Sequence, residues 1–363
     1  MKKGANGWSS MRKIDDLMTR AISRKVFPGA VLLASVGGDI RFFKAFGVAD
    51  IFSRRPVSNF TFFDLASLTK PLATTLGIMA LIKKEGFDID QDIRFILPGF
   101  KISGITSRNL LAHTSGLPAW RPYYFKLGKM PRSKRKEALV GLILDESLSQ
   151  KPDKGVLYSD IGFMILSRVI EIVSGKRLDR FLHETVYAPL EIDGLFFVDV
   201  HSKPAVKNFA ATEICPWRKT MLEGVVHDDN AYASGGIEGH SGLFGNAEKV
   251  HKLLWEILSV FSGRKKSVVF EKKRLQIFFE RERRGGRALG FDMPSQTGAS
   301  CGKYFSKKSV GHLGFTGTSF WMDLEREAIA ILLTNRVHPF RENEKIKRFR
   351  PVIHDAVMEA MIE

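Results

Sequence analysis

The chain is poor in the residue patterns that hold metals and cofactors. Its 363 residues include only two cysteines, Cys215 and Cys301, which are too few for a zinc cluster and too far apart for a Cys-x-x-Cys redox pair. The histidine pair of a His-Glu-x-x-His metal site is missing, and no glycine-rich loop ends in the Gly-Lys-Ser/Thr of a P-loop. We therefore expect two free thiols, no bound metal and no cofactor.

Long apolar runs are also missing. No run reaches the roughly 20 apolar residues that a membrane helix needs. The basic start of the chain, residues 1–13, has no apolar stretch behind it of the kind that a signal peptide carries. The sequence therefore predicts no transmembrane segment, no export and a cytoplasmic location.

Positive charge is in excess, but it is spread out. The formal net charge is +17, and the basic residues fall in several separate runs that are mixed with glutamate. No signature of a nucleic-acid-binding fold accompanies them. Because net charge concerns solubility and non-specific attraction rather than fold, we expect a solvated basic surface. We expect no specific nucleic-acid partner and only non-specific contact with anionic surfaces.

The pattern Ser-x-x-Lys is present five times, so its surroundings must select among the copies, which are Ser10/Lys13, Ser67/Lys70, Ser133/Lys136, Ser262/Lys265 and Ser300/Lys303. Only Ser67 both follows an apolar stretch, residues 60–66, and opens a good helical pattern, residues 68–85, which Gly86 ends. A serine hydroxyl is a poor nucleophile until a base takes its proton, and Lys70 lies one helical turn away. The start of a helix also favours a developing oxyanion.

Four segments, in this order, resemble the motifs of the β-lactamase-related serine hydrolases: residues 67–71, 110–118, 158–160 and 311–318. This superfamily includes class C β-lactamases, DD-peptidases of the penicillin-binding-protein type, and esterases. The resemblance covers nearly the whole chain. Three further stretches, residues 213–218, 226–230 and 239–244, resemble a subgroup of penicillin-binding-protein-like hydrolases.

The resemblance implies a role for particular residues. Ser67 would be the nucleophile, and Lys70 and Tyr158 would move its proton. The backbone N–H groups of Ser67 and Phe315 would form an oxyanion hole. The third motif, His312-Leu-Gly314, would bind substrate beside them.

Two residues depart from the family pattern. Asp160 stands where β-lactamases typically carry asparagine, and an ionised carboxylate only accepts hydrogen bonds. His312 stands where the family usually has lysine, so a permanent cation is replaced by a group that is near half-neutral at physiological pH. Both changes favour esters or unusual peptides over efficient hydrolysis of β-lactams.

Three further residues could be mistaken for site residues. His240-Ser-Gly242 repeats the His-x-Gly pattern, but it lies in a glycine-rich stretch, and we favour a turn residue near the rim of the site. Ser300 lies in a Gly-x-Ser-x-Gly sequence, yet the strand and helix of a nucleophile elbow are missing around it. His113 follows a short helical pattern, residues 107–112, and we expect a structural role for it.

The secondary-structure pattern predicts an α/β (α+β) fold. Strands at 30–36 and 40–46 form a hairpin near one end of the chain, and strands at 319–323 and 328–334 form another before a final helix, 352–362. We expect an antiparallel sheet flanked by helices and built from both termini, with an inserted, mainly helical subdomain. Residues 10–363 would be one catalytic unit, with an α/β part at 10–66 and about 190–363 and a helical part at about 67–189.

These observations predict a serine hydrolase that works through an acyl-enzyme at Ser67. Its substrate would be a small molecule or peptide: an ester, a D-amino-acid peptide or a β-lactam-like amide. One alternative is a non-catalytic scaffold of the same fold that binds through its basic surface. Another is a hydrolase with Ser300 as nucleophile.

Overall fold

A computed structural model of the protein describes residues 3–202, 206–282 and 286–362. The strands of these residues, in chain order, are β1 (Gly29–Val36), β2 (Asp39–Gly47), β3 (Phe63–Asp64), β4 (Leu195–Phe197), β5 (Ile214–Cys215), β6 (Thr220–Met221), β7 (Leu243–Gly245), β8 (Val310–Leu313), β9 (Ser319–Asp323) and β10 (Ala328–Thr334).

The helices of the same residues are α1 (Lys3–Ser23), α2 (Thr75–Glu85), α3 (Ser107–Leu111), α4 (Tyr124–Leu127), α5 (Arg132–Leu144), α6 (Asp160–Ser174), α7 (Leu178–Leu182), α8 (Asp229–Ala233), α9 (Ala247–Ser262), α10 (Lys272–Phe279) and α11 (Ile346–Ile362). Short 3-10 turns lie at Ala66–Leu68, Ile93–Phe95 and Ala188–Leu190, and single π-helical turns at Lys70–Thr74 and His183–Tyr187. None of the described helices is both long enough and apolar enough to cross a membrane.

The main sheet joins the two ends of the chain. Its order is β2-β1-β10-β9-β8, and all its neighbouring strands are antiparallel. In the central pair, Ala30 lies opposite Thr334 and Val36 lies opposite Ala328. The predicted mixture of helices and an antiparallel sheet built from both termini is confirmed.

Side chains alternate between two cores across this sheet, as the period of a strand requires. Val31 and Leu33 of β1 belong to the larger core, which also contains residues of α2, α6 and α9. Leu32 of β1 belongs to a second core on the opposite face, with residues of α1 and α11. Every residue of β10 is buried, because both faces of this central strand are covered.

Two predicted helices differ from their observed form. The pattern at 68–85 does end at Gly86, which has a left-handed φ of 62°, but it begins as a 3-10 turn and a π-helical turn before α2 starts at Thr75. Pro71 lies in that π-helical turn. Proline has no N–H, and this is tolerated in a first helical turn because the N–H groups there have no acceptor within the helix. The final helix was predicted from residue 352, whereas α11 begins at Ile346 and contains Pro351.

The helices of the middle of the chain pack against one another and against the sheet. Residues of α2, α3 and α6 share the larger core with sheet residues from both ends of the chain. The division into an α/β part and a helical part at about 67–189 stays a prediction. Both cysteines are buried and unpaired with each other, which confirms the prediction of free thiols.

A buried arginine connects α11 to the edge of the sheet. One terminal nitrogen of Arg350, Nη2, donates to the carbonyl oxygens of Gly314 and Thr318, each at 2.9 Å. These carbonyls flank the turn between β8 and β9, which carries Phe315. Arg350, a residue that is 6% exposed, therefore helps to hold that turn, together with the backbone hydrogen bonds within it.

Replacing Arg350 by methionine should lower the free energy of unfolding by roughly 1–3 kcal/mol, because two buried carbonyl oxygens each lose a charged donor and keep only a backbone N–H. Denaturant unfolding followed by tryptophan fluorescence would measure the change. Arg348→Met, on an exposed turn of the same helix, is the matched control and should cost no more than about 0.5 kcal/mol. Equal losses in the two variants would contradict the role of Arg350.

Candidate active site

Ser67 lies in a short turn that two strands hold in place. β3 pairs with β7, so that Asp64 lies opposite Phe244. Between β3 and Ser67 the chain makes a sharp bend, in which Ala66 has a positive φ of 48°. The Asp64 carboxylate accepts the Ala66 N–H at 2.8 Å and supports this strained backbone, which is of the kind often found at functional sites.

Lys70 is the centre of the polar contacts around Ser67. Its Nζ lies 3.1 Å from Ser67 Oγ and 3.1 Å from the His240 carbonyl oxygen. It also forms an ion pair with Asp160 Oδ1 at 2.7 Å. Burial favours the neutral amine, but Asp160, with Tyr158, outweighs this effect and raises the pKa of Lys70 above its usual value. Lys70 is therefore an ammonium group at neutral pH.

Tyr158, two residues before the start of α6, packs against Lys70. The lysine Nζ is 4.9 Å from the centre of the tyrosine ring. Burial raises the pKa of Tyr158, and Lys70 opposes this rise. The ring is held by His113, whose own ring lies 4.5 Å away and whose Nδ1 accepts the Ser159 N–H at 3.0 Å. His113 thus contributes by packing and by fixing the segment before α6.

Asp160 is the first residue of α6. The side chain of Ser159 caps this helix by accepting the Gly162 N–H at 3.2 Å, and the Asp160 N–H donates to the Ala119 carbonyl at 2.9 Å. These bonds aim the carboxylate toward Lys70. The Asp160 side chain remains 19% exposed.

His312 is on β8, close to Tyr158 but beneath the surface. Its ring lies 6.1 Å from that of Tyr158, and its Nδ1–H donates to the Leu313 carbonyl at 2.9 Å. Burial lowers the pKa of His312 to about 4, although Asp292 opposes the shift. The imidazole is therefore neutral at physiological pH and offers no permanent charge to a substrate carboxylate.

Gly314 and Phe315 form the turn that approaches Ser67. A Cβ at Gly314 would lie 1.9 Å from Thr318 Oγ1 and 2.8 Å from the Leu65 carbonyl oxygen, so only glycine fits there. The Thr318 hydroxyl donates to the Leu65 carbonyl at 3.1 Å, which connects this turn to the segment before Ser67. The Phe315 side chain is 49% exposed at the cavity edge.

These elements enclose a cavity of about 390 Å³. It is lined by Ala66, Ser67, Ala119, Trp120, Tyr158, Asp160, His227, Asp228, Asp229, His240, Ser241, Phe315 and Arg341. Of the seven predicted site residues, Ser67, Tyr158, Asp160 and Phe315 are in this lining. Lys70, His312 and Gly314 are not among the lining residues, although Lys70 contacts Ser67. A larger cavity, of about 550 Å³, is lined by none of the seven.

Several residues that line the cavity were not predicted from the sequence to belong to the site. His240 is 1% exposed, and its Nε2 pairs with Asp228 Oδ1 at 2.9 Å. Burial opposes its charge, but Asp228 outweighs burial and raises the pKa of His240 above its usual value. The subgroup motifs at 226–230 and 239–244 were the signal that could have identified this pair.

Arg341 is another lining residue that was not predicted. Its guanidinium donates to Glu213 Oε1 at 2.7 Å and to Asp229 Oδ2 at 3.2 Å. Arg218 also binds Asp229, at 2.8 Å. Glu213, Arg218 and Asp229 belong to the subgroup motifs, whereas Arg341 lies in a basic run that has no motif to distinguish it.

Ser300 does not lie in an elbow. It is in a turn, and within residues 286–362 neither a strand directly before it nor a helix directly after it is formed. Its carbonyl oxygen accepts a hydrogen bond from His354 Nδ1 at 2.9 Å, and Ser300 does not line the cavity that contains Ser67.

Two curated relatives match most of the chain. It is 32% identical to a protein of Bacillus subtilis (strain 168) named N-acetylmuramyl-L-alanine amidase, over 90% of this chain and 81% of the relative. It is 29% identical to a protein of Escherichia coli (strain K12) named putative D-alanyl-D-alanine carboxypeptidase, over 88% of this chain and 82% of the relative.

Solved structures share the fold. EstCE1, described as a hydrolase with promiscuous acyltransferase activity, superposes with a TM-score of 0.77 and 19% identity over 97% of this chain and 99% of its own. The octameric penicillin-binding protein homologue from Pyrococcus abyssi has a TM-score of 0.72 and 21% identity over 90% of this chain and 73% of its own. Residues 12–352 match the family described as Beta-lactamase, and the chain belongs to that family.

Proposed function

We propose that the protein is a serine acyl hydrolase in which Ser67 is acylated and then released by water. The observation that carries the proposal is the position of Lys70 Nζ, 3.1 Å from Ser67 Oγ and 2.7 Å from Asp160, two residues that line the cavity. A fully buried lysine that contacts a serine hydroxyl in a cavity, and that becomes a base once it has lost a proton, is typical of an activated nucleophile.

In the first step, Ser67 Oγ forms a bond to the substrate carbonyl carbon. The proton of Ser67 passes to the Lys70–Tyr158 pair, which delivers it to the leaving nitrogen or oxygen as the bond to the carbonyl carbon breaks. Because Lys70 is protonated at rest, the pair must first lose one proton, and the two groups titrate as a unit. Activity should therefore rise with pH.

The negative charge that develops on the carbonyl oxygen requires donors. We assign this role to the backbone N–H groups of Ser67 and Phe315, which would lie on either side of that oxygen. The contact of Thr318 with Leu65 would fix the spacing between the two donors. In the second step a water molecule attacks the acyl carbon and gives a proton to the same pair, which returns a proton to Ser67 Oγ as the ester bond breaks and the acid product leaves.

The relatives suggest amide substrates. Their names specify the amide of N-acetylmuramyl-L-alanine and a D-alanyl-D-alanine peptide. We favour a small amide of the first type, because the chain is more similar to the amidase than to the carboxypeptidase, at 32% against 29% identity. A small substrate also fits the cytoplasmic location, which stays a prediction.

Ser67→Ala should abolish turnover of p-nitrophenyl esters, with a loss of at least about 10³-fold in kcat, because the acyl-enzyme cannot form. Labelling with a fluorophosphonate probe, read by intact mass, would check this directly. Ser300→Ala is the matched control and should label like the parent protein. Labelling that survives in Ser67→Ala and disappears in Ser300→Ala would instead support the alternative nucleophile.

Asp160→Asn should move the acid limb of the kcat/KM profile to lower pH. Asp160 raises the pKa of Lys70, so its loss makes the neutral amine available at lower pH, by about one to three units. The measurement is ester hydrolysis between pH 5 and pH 10. Asp145→Asn removes the same charge from the surface, where it pairs with Lys101, and should leave the limb in place. If the acid limb of the kcat/KM profile lies at the same pH in Asp160→Asn as in the parent protein, Lys70 does not control that limb.

N-acetylmuramyl-L-alanine should be cleaved to its amino acid at a rate above those of an N-acylated D-alanyl-D-alanine peptide and nitrocefin. Chromatography of released amino acids, with absorbance for nitrocefin, would rank the three. If no ester or amide is turned over and polyanions bind tightly at physiological salt, the protein is a binding scaffold.

A further inference from the structure

The segment Asp228–Asn230 organises a part of the cavity wall that the proposed acyl transfer does not use. Asp228 caps α8 and accepts the Ala231 N–H at 2.7 Å, and Asp229 and Asn230 begin the helix. Each of the three side chains also binds another segment of the chain. Their contacts therefore fix several cavity-lining groups relative to one another.

Asn230 holds the loop that carries Trp120. Its Oδ1 accepts the Tyr124 N–H at 2.9 Å, and its Nδ2 donates to the Arg121 carbonyl oxygen at 2.8 Å. Trp120 is 45% exposed and lines the cavity that contains Ser67. An aromatic ring that is exposed at a cavity, on a loop that is already held in place, can pack on a ligand at a small cost in conformational entropy.

Asp229 holds Arg341 in the same wall. Its Oδ2 accepts a hydrogen bond from Arg341 Nη1 at 3.2 Å, and Glu213 accepts one from Arg341 Nε at 2.7 Å. The Arg341 side chain remains 32% exposed, and it lines the cavity. Because Nη1 carries two N–H groups and Asp229 needs only one of them, Arg341 can also donate to a ligand.

Asp228 adds an acceptor to these groups. Its Oδ1 is occupied by His240 Nε2 at 2.9 Å and by the Ala231 N–H, whereas its Oδ2 accepts no hydrogen bond from the residues that the structure describes. The Asp228 side chain is 22% exposed and lines the cavity. The wall therefore offers a ligand both a carboxylate acceptor and, at Arg341, a donor. Hydroxyl groups can use both, because each one donates and accepts.

The charge and size of the cavity restrict what can occupy this wall. Asp228 pairs with His240, and Arg341 pairs with Glu213 and Asp229. A charged ligand group here would lose water without gaining a free counter-charge. The cavity volume of about 390 Å³ is near the lower end of the range for ligand pockets, roughly 300–1,000 Å³. An uncharged single ring with a short arm suits it better than a chain of rings.

We propose that Trp120, Asp228 and Arg341 form a subsite for one uncharged, hydroxyl-bearing ring of the pyranose type in the acyl part of the substrate. This inference rests on the proposed acyl-enzyme at Ser67 and assigns residues to the recognition of its substrate. The apolar face of the ring packs on the Trp120 indole, and its hydroxyl groups donate to Asp228 Oδ2 and accept from Arg341. An alkyl group would displace water from both polar side chains without replacing its hydrogen bonds.

Two amides that differ only in the ring test the subsite. N-acetylmuramyl-L-alanine carries its sugar on the ether oxygen of a D-lactyl group, and O-methyl-D-lactyl-L-alanine carries a methyl group on the same oxygen. The scissile amide and the leaving group are identical in the two compounds. The quantity measured is the ratio of their kcat/KM values, obtained by chromatography of the released L-alanine.

The parent protein should prefer the sugar amide by about 100-fold or more, as expected for hydrogen bonds to two charged side chains. In Trp120→Ala the ratio should fall by roughly 3- to 10-fold, because the ring loses its aromatic contact, and Trp120→Tyr should restore most of it. Phe125→Ala is the matched control. Phe125 is 55% exposed on the neighbouring α4 but does not line the cavity, so its loss should keep the parent ratio.

A peptide is the competing occupant of this wall. N-acetyl-D-alanyl-L-alanine represents it, because an acetamido group replaces the methoxy group of the O-methyl-lactyl compound. If this peptide gains as much in kcat/KM over the O-methyl compound as the sugar amide does, the wall binds peptides and the assignment to a ring is wrong. A sugar ratio near unity in the parent protein, or one that Trp120→Ala leaves unchanged, also overturns the proposal.

Fluorophosphonate labelling and calorimetry separate failure of the subsite from failure of the proposed function. Titration of Ser67→Ala with each of the two amides measures binding without turnover. If the parent protein does not label at Ser67 but Ser67→Ala binds the sugar amide more tightly than the O-methyl compound, the subsite stands and the proposed function fails. If the parent protein labels at Ser67 and Ser67→Ala binds the two amides equally, the subsite is wrong.

Discussion

The ammonium group of Lys70 is the constraint on which the rest of the site depends. A charge that is fully buried is costly unless it is paired and hydrogen-bonded. Its three partners come from distant parts of the chain: the turn at Ser67, the start of α6 at Asp160, and the His240 carbonyl before β7. Because the cation must be satisfied, these three segments converge, and the cavity wall forms where they meet.

Local patterns predicted much of this structure. The strands at 319–323 and 328–334 were predicted with their observed limits, because alternating apolar residues and clear turns marked them. The helix after Ser67 was predicted from the apolar stretch before it and from Gly86 at its end. The π-helical turn Lys70–Thr74 was not predicted, because no residue type specifies such a turn. His240 and Arg341 were missed because their importance comes from contacts with Asp228 and Glu213, and such contacts depend on the tertiary fold.

The strong positive charge of the chain is a property of its surface and not of the cavity. The +17 formal charge coexists with a site in which lysine, histidine and arginine side chains each face a carboxylate. His312, the residue in the place of the family's usual cation, is kept neutral by burial. The overall field can attract anions to the protein, whereas Lys70, His240 and Arg341 at the site already have carboxylate partners.

The pairing of β1 with β10 has a consequence for how the protein reaches its folded state. Ala30 and Thr334 are partners in the sheet, although about 300 residues separate them in the chain. During synthesis the helical middle emerges long before β10, so the sheet remains incomplete until β10 has been made. Such non-local pairing slows folding and leaves strand edges exposed in the meantime. The surroundings of Ser67 are therefore completed only after the segments that carry Phe315 and Arg341, far along the chain, have been made.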